Sequence, residues 1–156
     1  MHACSDHDSC VDEALHEADR VCAKKGLRFT TLRRKVLRLI WKNHGPAKAY
    51  AILDQLNHEN ASAKPSTVYR TLDFLMSTGL IHKVNSLNAY VGCSHPLRHN
   101  ECYFLICKKC DEIQECCDRG LSQAITETTN KNNFNANGVT LEITGECLEC
   151  ITKNRT

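Results

Sequence analysis

Hydrophobic positions along the first half of the chain recur with helical spacing rather than strict alternation. From about Val11 to Lys25 they mark a helix closed by Gly26, a residue suited to the left-handed position after a C-terminus. Leu32, Val36, Leu39 and Ile40 fall at i, i+4, i+7 and i+8 behind Thr30, whose hydroxyl can cap a second helix. That spacing leaves Arg33, Arg34, Arg38 and Lys42 mostly outward, and His44-Gly45-Pro46 ends the helix. A third, short helix is predicted through Ala49, Ile52, Leu53 and Leu56, stopping near Asn57 to Asn60.

The fourth segment, from Lys64 to Gly79, carries both its punctuation marks. Pro65 suits a first helical turn, where its missing N–H costs nothing, and Gly79 suits the exit. At 100° per residue Val68, Leu72, Leu75 and Met76 form an apolar stripe, with Ser66, Arg70, Asp73 and Ser77 opposite and Tyr69 flanking. Leu80 to Val84 and Ala89 to Cys93 then read as two strands around Asn85-Ser86-Leu87-Asn88. Three helices and a hairpin make a winged helix, so the fold class is α+β.

Charge sharpens this picture. Residues 1–19 hold six acids and no Lys or Arg, residues 20–84 hold thirteen bases against three acids, and residues 85–156 hold seven bases against nine acids. A basic block between acidic ones suits a polyanion, although a solvated basic face with no ligand has the same composition. The chain length of 156 residues bounds it to one ordinary domain or two small ones. It lacks a stretch of ~20 apolar residues and the apolar core of a signal peptide, which leads to the expectation of a soluble, intracellular protein.

An α-helix fits the DNA major groove, and its exposed N-terminal residues reach base edges while surrounding cations neutralise phosphates. Arg70 is the candidate base reader, because a guanidinium pairs with guanine O6 and N7 together. An ion pair from Arg70 to Asp73 is its structural alternative. Tyr69, Ser66 and Thr67 suit thymine methyls or phosphates, and Lys64, Arg28, Arg33 and Tyr50 suit the backbone. Tyr69 has the alternative of a packing residue.

Eleven Cys and eight His change the picture again. In a chain without an export signal, an odd number of thiols points to metal rather than to a disulfide framework. The strongest signal is Cys107-x2-Cys110 with Cys147-x2-Cys150, two knuckles 36 residues apart. Four thiolates at ~2.3 Å make a tetrahedral Zn²⁺ site, closed to catalysis, that staples distant elements together. The intervening residues read as a strand over Glu112 to Glu115, a helix through Leu121, Ala124, Ile125 and Thr128, and a strand through Val139, Leu141 and Ile143. A second set combines His82, Cys93, His95 or His99, and Glu115; each of these residues alone has an ordinary structural explanation. Cys22, Cys102, Cys116 and Cys117 are expected as reduced thiols.

The runs Arg28-Phe-Thr-Thr-Leu-Arg33, Lys64-Pro-Ser-Thr-Val-Tyr-Arg-Thr-Leu72 and Gly79-Leu-Ile-His-Lys-Val84, followed by the paired knuckles, resemble the ferric uptake regulator family over about residues 10–150. Within it the chain looks most like the zinc-sensing members. The resemblance implies an N-terminal winged helix, a C-terminal α/β dimerisation domain, a structural Cys4 zinc and a regulatory metal at the hinge. It implies homodimers that bind double-stranded operator DNA and repress metal-import genes in the bacterial cytoplasm, with about two Zn²⁺ per chain. By position, its regulatory ligands fall on His82, Cys93, His99 and Glu115. A thiolate at Cys93 selects zinc over Fe²⁺ or Mn²⁺. Thr31-Leu32 departs from the Pro-Gln commonly found there.

The expected organisation is an acidic, disordered tail over 1–10, a winged helix over 11–84 with its hairpin extending to about 93, and a hinge loop with the α/β dimerisation domain over 94–156. The expected function is a zinc-responsive repressor without enzymatic activity, membrane contact or a small-molecule substrate. A regulator sensing iron or manganese and a constitutive DNA-binding protein with purely structural zinc are the alternatives.

Overall fold

The computed structural model describes residues 7–43, 45–59 and 63–153. It divides into two compact units, one running to Pro96 and the other starting at Leu97.

The first unit orders α1 (His7–Lys24), α2 (Thr31–Lys42), α3 (Ala49–His58), α4 (Pro65–Ser77), β1 (Ile81–Val84) and β2 (Ala89–Gly92). α1 starts four residues earlier than its pattern suggested, so His7 to Cys10 are helical and not part of a disordered tail. The reason is anchoring: Val11 and Leu15 are buried, and the turn before them continues the helix they fix. Residues 1–6, with His2 and Cys4, lie outside the described residues.

The helix ends follow the punctuation. Gly26 and Gly79 have φ of +63° and +80°. At each, the N–H three residues past the helix reaches back five residues, Leu27 to the Cys22 carbonyl (2.8 Å) and Leu80 to the Leu75 carbonyl (2.9 Å), which is the Schellman motif. The Thr30 hydroxyl accepts from the Arg33 N–H at 3.4 Å. α2 buries Val36, Leu37 and Ile40, while Leu39 is only partly covered. Its inward face is thus turned toward Leu37, because α2 packs against both α1 and α4 and is covered on two sides.

β1 and β2 pair antiparallel, with Ile81 opposite Gly92 and Val84 opposite Ala89. Ala47 and Tyr90 exchange two 2.8 Å backbone hydrogen bonds, tying the entrance of α3 to the hairpin. The core joins α1 through α4 to the hairpin by way of Leu80, Ile81 and Tyr90.

The 3-10 turn Pro96–Glu101 begins on the last residue of the first unit, and the second unit continues with β3 (Cys102–Cys107), β4 (Ile113–Cys117), α5 (Arg119–Lys131), β5 (Glu142–Gly145) and α6 (Leu148–Lys153). The sheet order is β4-β3-β5, with β3/β4 antiparallel and β3/β5 parallel. α5 makes the crossover, capped by Asp118, whose carboxylate accepts from the Leu121 N–H at 2.7 Å. β5 starts at Glu142, so Val139 lies ahead of the strand expected to contain it. Phe104, Ile106 and Ile113 are buried between strands, whereas α5 buries no residue fully.

Candidate nucleic-acid interface and metal centres

α4 is the candidate reading helix. Pro65 occupies its first turn, and the Thr67 and Val68 N–H groups turn back to the Lys64 carbonyl (3.0 and 3.2 Å). Val68, Leu72 and Leu75 are buried, so one face is fixed to the core and the rotation of the opposite face is set. That face exposes Lys64, Ser66, Thr67, Tyr69 and Arg70 near the positive end of the helix dipole. Tyr69 is 52 % exposed and therefore not a core packing residue. Among the described residues no ion pair holds Arg70, and the alternative partner Asp73 is not engaged with it. Tyr50 on α3 is 65 % exposed, and Arg28 lies exposed ahead of α2.

Arg33 differs from its expected outward role. Its guanidinium stacks 3.3 Å from the centre of the Phe74 ring and donates to the Arg28 carbonyl. The cation covers α4's apolar flank and braces the loop before α2, a packing use that helical periodicity does not encode.

In the second unit the four knuckle cysteines converge. The sulfurs of Cys107, Cys110, Cys147 and Cys150 all lie within 4.8 Å of one another. β3 ends at Cys107, Cys110 sits in the following turn, Cys147 precedes α6 and Cys150 lies in its first turn. β3 and β5 lie side by side, with Cys107 registered on Gly145, so the parallel pairing brings the distant knuckles together. The Cys147 N–H donates to the Cys107 sulfur at 3.3 Å. That bond, with N–H groups of Lys109 and Cys110, lowers the Cys107 thiol to about 6. Cys150, hydrogen-bonded to Cys147 and then Cys110, is pushed up to about 12. Four sulfurs this close cannot all be thiolates without a compensating cation, and a tetrahedral dication fits the donor set.

The remaining candidate ligands fall in both units. In the first, His82 on β1 is 9 % exposed and Cys93 after β2 is 3 % exposed, with a ring nitrogen and the thiol within 4.8 Å. The Cys93 N–H is held by the Leu80 carbonyl at 3.0 Å. Two soft or borderline donors this near one another fit a zinc ion better than a hard cation. In the second unit, His99 is half-buried on the 3-10 turn, while His95 ahead of it is exposed. Glu115 is half-buried on β4 opposite Phe104.

One pairing lay beyond the sequence argument. Cys102 and Cys117, expected as reduced thiols, are joined by a disulfide across β3 and β4. They are directly opposite one another in register, a relationship fixed only by strand pairing. Cys22 is a reduced, buried thiol, and burial raises its pKa. No helix among the described residues is long and apolar enough to cross a membrane.

A basic reading helix with a wing, joined in one chain to a unit holding a four-thiol cluster, defines a metal-binding winged-helix protein. The family model for the ferric uptake regulator family matches residues 24–144. The chain belongs to that family. It is 37 % identical over 144 residues to the zinc uptake regulation protein of Escherichia coli (strain K12), covering 90 % of this chain and 83 % of that one. It is 29 % identical over 129 residues to the zinc uptake regulation protein of Mycobacterium tuberculosis, covering 80 % and 95 %. Among solved structures it is similar to a zinc uptake regulator complexed with zinc and DNA, with a TM-score of 0.86 at 34 % identity and coverage of 94 % and 98 %. It is also similar to holo XcZur, with a TM-score of 0.82 at 38 % identity and coverage of 88 % and 96 %.

Proposed function

We propose that the protein is a zinc-responsive repressor of zinc-uptake genes that acts as a homodimer on double-stranded operator DNA in the cytoplasm, and not an enzyme. The carrying observation is the likeness, over nearly the whole chain, to a zinc uptake regulator complexed with zinc and DNA, combined with a reading helix whose polar face is exposed.

In this reading Arg70 contacts a base edge and Tyr69, Ser66 and Thr67 pack beside it, while Lys64, Arg28 and Tyr50 serve phosphates and Arg33 braces the loop that carries Arg28. Cys107, Cys110, Cys147 and Cys150 hold a structural Zn²⁺, and His82, Cys93, His99 and Glu115 hold a regulatory one, giving about two per chain. Zinc supplies a compact dication with a strong preference for thiolate and imidazole donors. His82 and Cys93 belong to the first unit and His99 and Glu115 to the second. Ligation by all four therefore restrains the two units together, and affinity for DNA changes by the difference in zinc affinity between restrained and unrestrained forms.

Dimerisation is supported by what the second unit leaves uncovered. α5 fully buries none of its residues, and Phe134, Val139 and Ile143 of the same unit are exposed. A cavity of about 350 Å³ opens among Leu121, Ile125, Phe134, Val139 and Leu141. A second copy of the same unit completes such a half-covered core.

The test is binding of a zinc-import promoter fragment at buffered Zn²⁺, Fe²⁺ and Mn²⁺, with bound metal measured in the same samples. Tight binding that tracks free zinc supports the reading. Equal binding with iron or manganese supports the other-metal alternative, and metal-independent binding a constitutive DNA-binding protein.

A further inference from the structure

We propose that Cys102 and Cys117 are a reversible thiol–disulfide modification site through which small disulfides weaken zinc binding at Glu115. The effect on zinc rests on the proposed ligand role of Glu115; the redox pair itself does not.

The geometry begins with register. Cys102, the first residue of β3, faces Cys117, the last of β4, with Cα atoms 4.0 Å apart. That is well inside the ~7 Å beyond which two cysteines cannot be bridged without backbone movement. Strand alternation then selects the partner: Cys116 points to the opposite face, where it hydrogen-bonds the Tyr103 hydroxyl. Cys102, Phe104, Glu115 and Cys117 share one face, and a Cys102 sulfur to Glu115 carboxylate oxygen separation falls within 4.8 Å. Both cysteines are half-buried, within reach of small thiols, unlike the fully buried Cys22.

The exchange balances with a low-molecular-weight disulfide, RSSR, as oxidant. The Cys102 thiolate attacks one sulfur, forming Cys102–S–S–R and expelling RS⁻. Cys117, as thiolate, attacks the Cys102 sulfur and expels the second RS⁻. Two electrons pass from the dithiol to RSSR, and the two protons lost from the cysteines leave as two RSH. Excess RSH reverses both steps. Cys102 is not among the four proposed ligands; in the dithiol its sulfur lends negative charge beside Glu115 that favours a dication, and oxidation removes that charge. The dithiol therefore favours zinc, and the disulfide disfavours it.

The experiment equilibrates the zinc-loaded full chain in glutathione buffers from reducing to oxidising. Free thiols are alkylated, disulfide-linked peptides mapped by mass, and affinity of the weaker zinc measured against a chelating dye. We expect a Cys102–Cys117 linked peptide whose appearance coincides with a loss of affinity of ~10-fold or more. The double variant Cys102→Ser/Cys117→Ser should show no shift over the same buffers, and Cys116→Ser should behave as wild type. Absence of the linked peptide, its appearance without a change in affinity, or an equal shift in the double variant overturns the proposal. Peptide mapping of the wild type needs no variant to fold. Glu115→Gln in fully reduced protein separates the two claims: unchanged affinity there faults the ligand assignment, while the linked peptide reports on the redox pair alone.

Discussion

Trp41 on α2 lies against Gly92 at the end of β2 so closely that a Cβ built on the glycine would stand 2.3 Å from the indole. Only a residue without a side chain fits there, and the next residue is Cys93. The contact therefore carries the packing of α2 to one proposed zinc ligand. Gly92→Ala should destabilise the first unit by about 1–3 kcal/mol, the usual cost of overpacking, measured by urea unfolding. It should also weaken zinc binding at the His82 set. Trp41 is the sole tryptophan, so its fluorescence reports directly on this contact.

Arg70 is exposed in the first half of α4 and makes no ion pair among the described residues. Arg70→Ala should cost about 1–3 kcal/mol on the cognate operator and relax base preference at one position per half-site. Binding to a panel of single-base operator variants checks this. Uniform weakening across the panel would make Arg70 a phosphate contact. Lys64→Ala should instead weaken all sequences alike and lower the slope of log affinity against log salt by about 1.

The thiol cluster predicts a proton count. Hydrogen bonds from the Cys147, Lys109 and Cys110 N–H groups lower Cys107 to about 6, so it is largely thiolate at neutral pH, while Cys150 at about 12 is protonated. Zinc entering the Cys4 site at pH 7 should displace a proton from Cys150 but almost none from Cys107, measured from the buffer dependence of the binding heat in wild type and Cys107→Ser. The sign follows from the thiols: metal affinity falls as pH falls, and the Cys107 share of that loss comes as pH drops through about 6. Cys150→Ser should lower thermal stability and make the protein sensitive to mild chelators.

The uncovered side of the second unit predicts assembly. Ile143 is exposed on β5, an edge strand of the sheet. Ile143→Glu should shift the protein toward monomer in sedimentation and reduce operator affinity, while the first unit keeps its own unfolding transition.

The reading helix was legible because its signals are local: Pro65, Gly79 and a four-residue apolar stripe lie within one segment. The thiol knuckles were legible because two cysteines on one turn need no knowledge of the rest of the fold. β3 was not delimited by the pattern, because Tyr103 to Ile106 form an unbroken apolar run between cysteines that no alternation marks as a strand. Without β3, its register against β4 was invisible, and with it the disulfide between Cys102 and Cys117. The start of α1 was missed because its acidic composition resembles a solvated tail, whereas burial of Val11 and Leu15 decides it. Arg33 was placed outward by periodicity, yet Phe74, from a helix distant in sequence, draws it in.

The central claim is that an ion held by His82, Cys93, His99 and Glu115 controls the grip on DNA. It is tested most directly by operator affinity, measured by fluorescence anisotropy at fixed salt, for protein that keeps its Cys4 zinc with the other site filled or emptied. The account predicts tighter binding by the filled form, by about 5- to 150-fold, the usual range of coupling between two sites. Equal affinity of the two forms would contradict it.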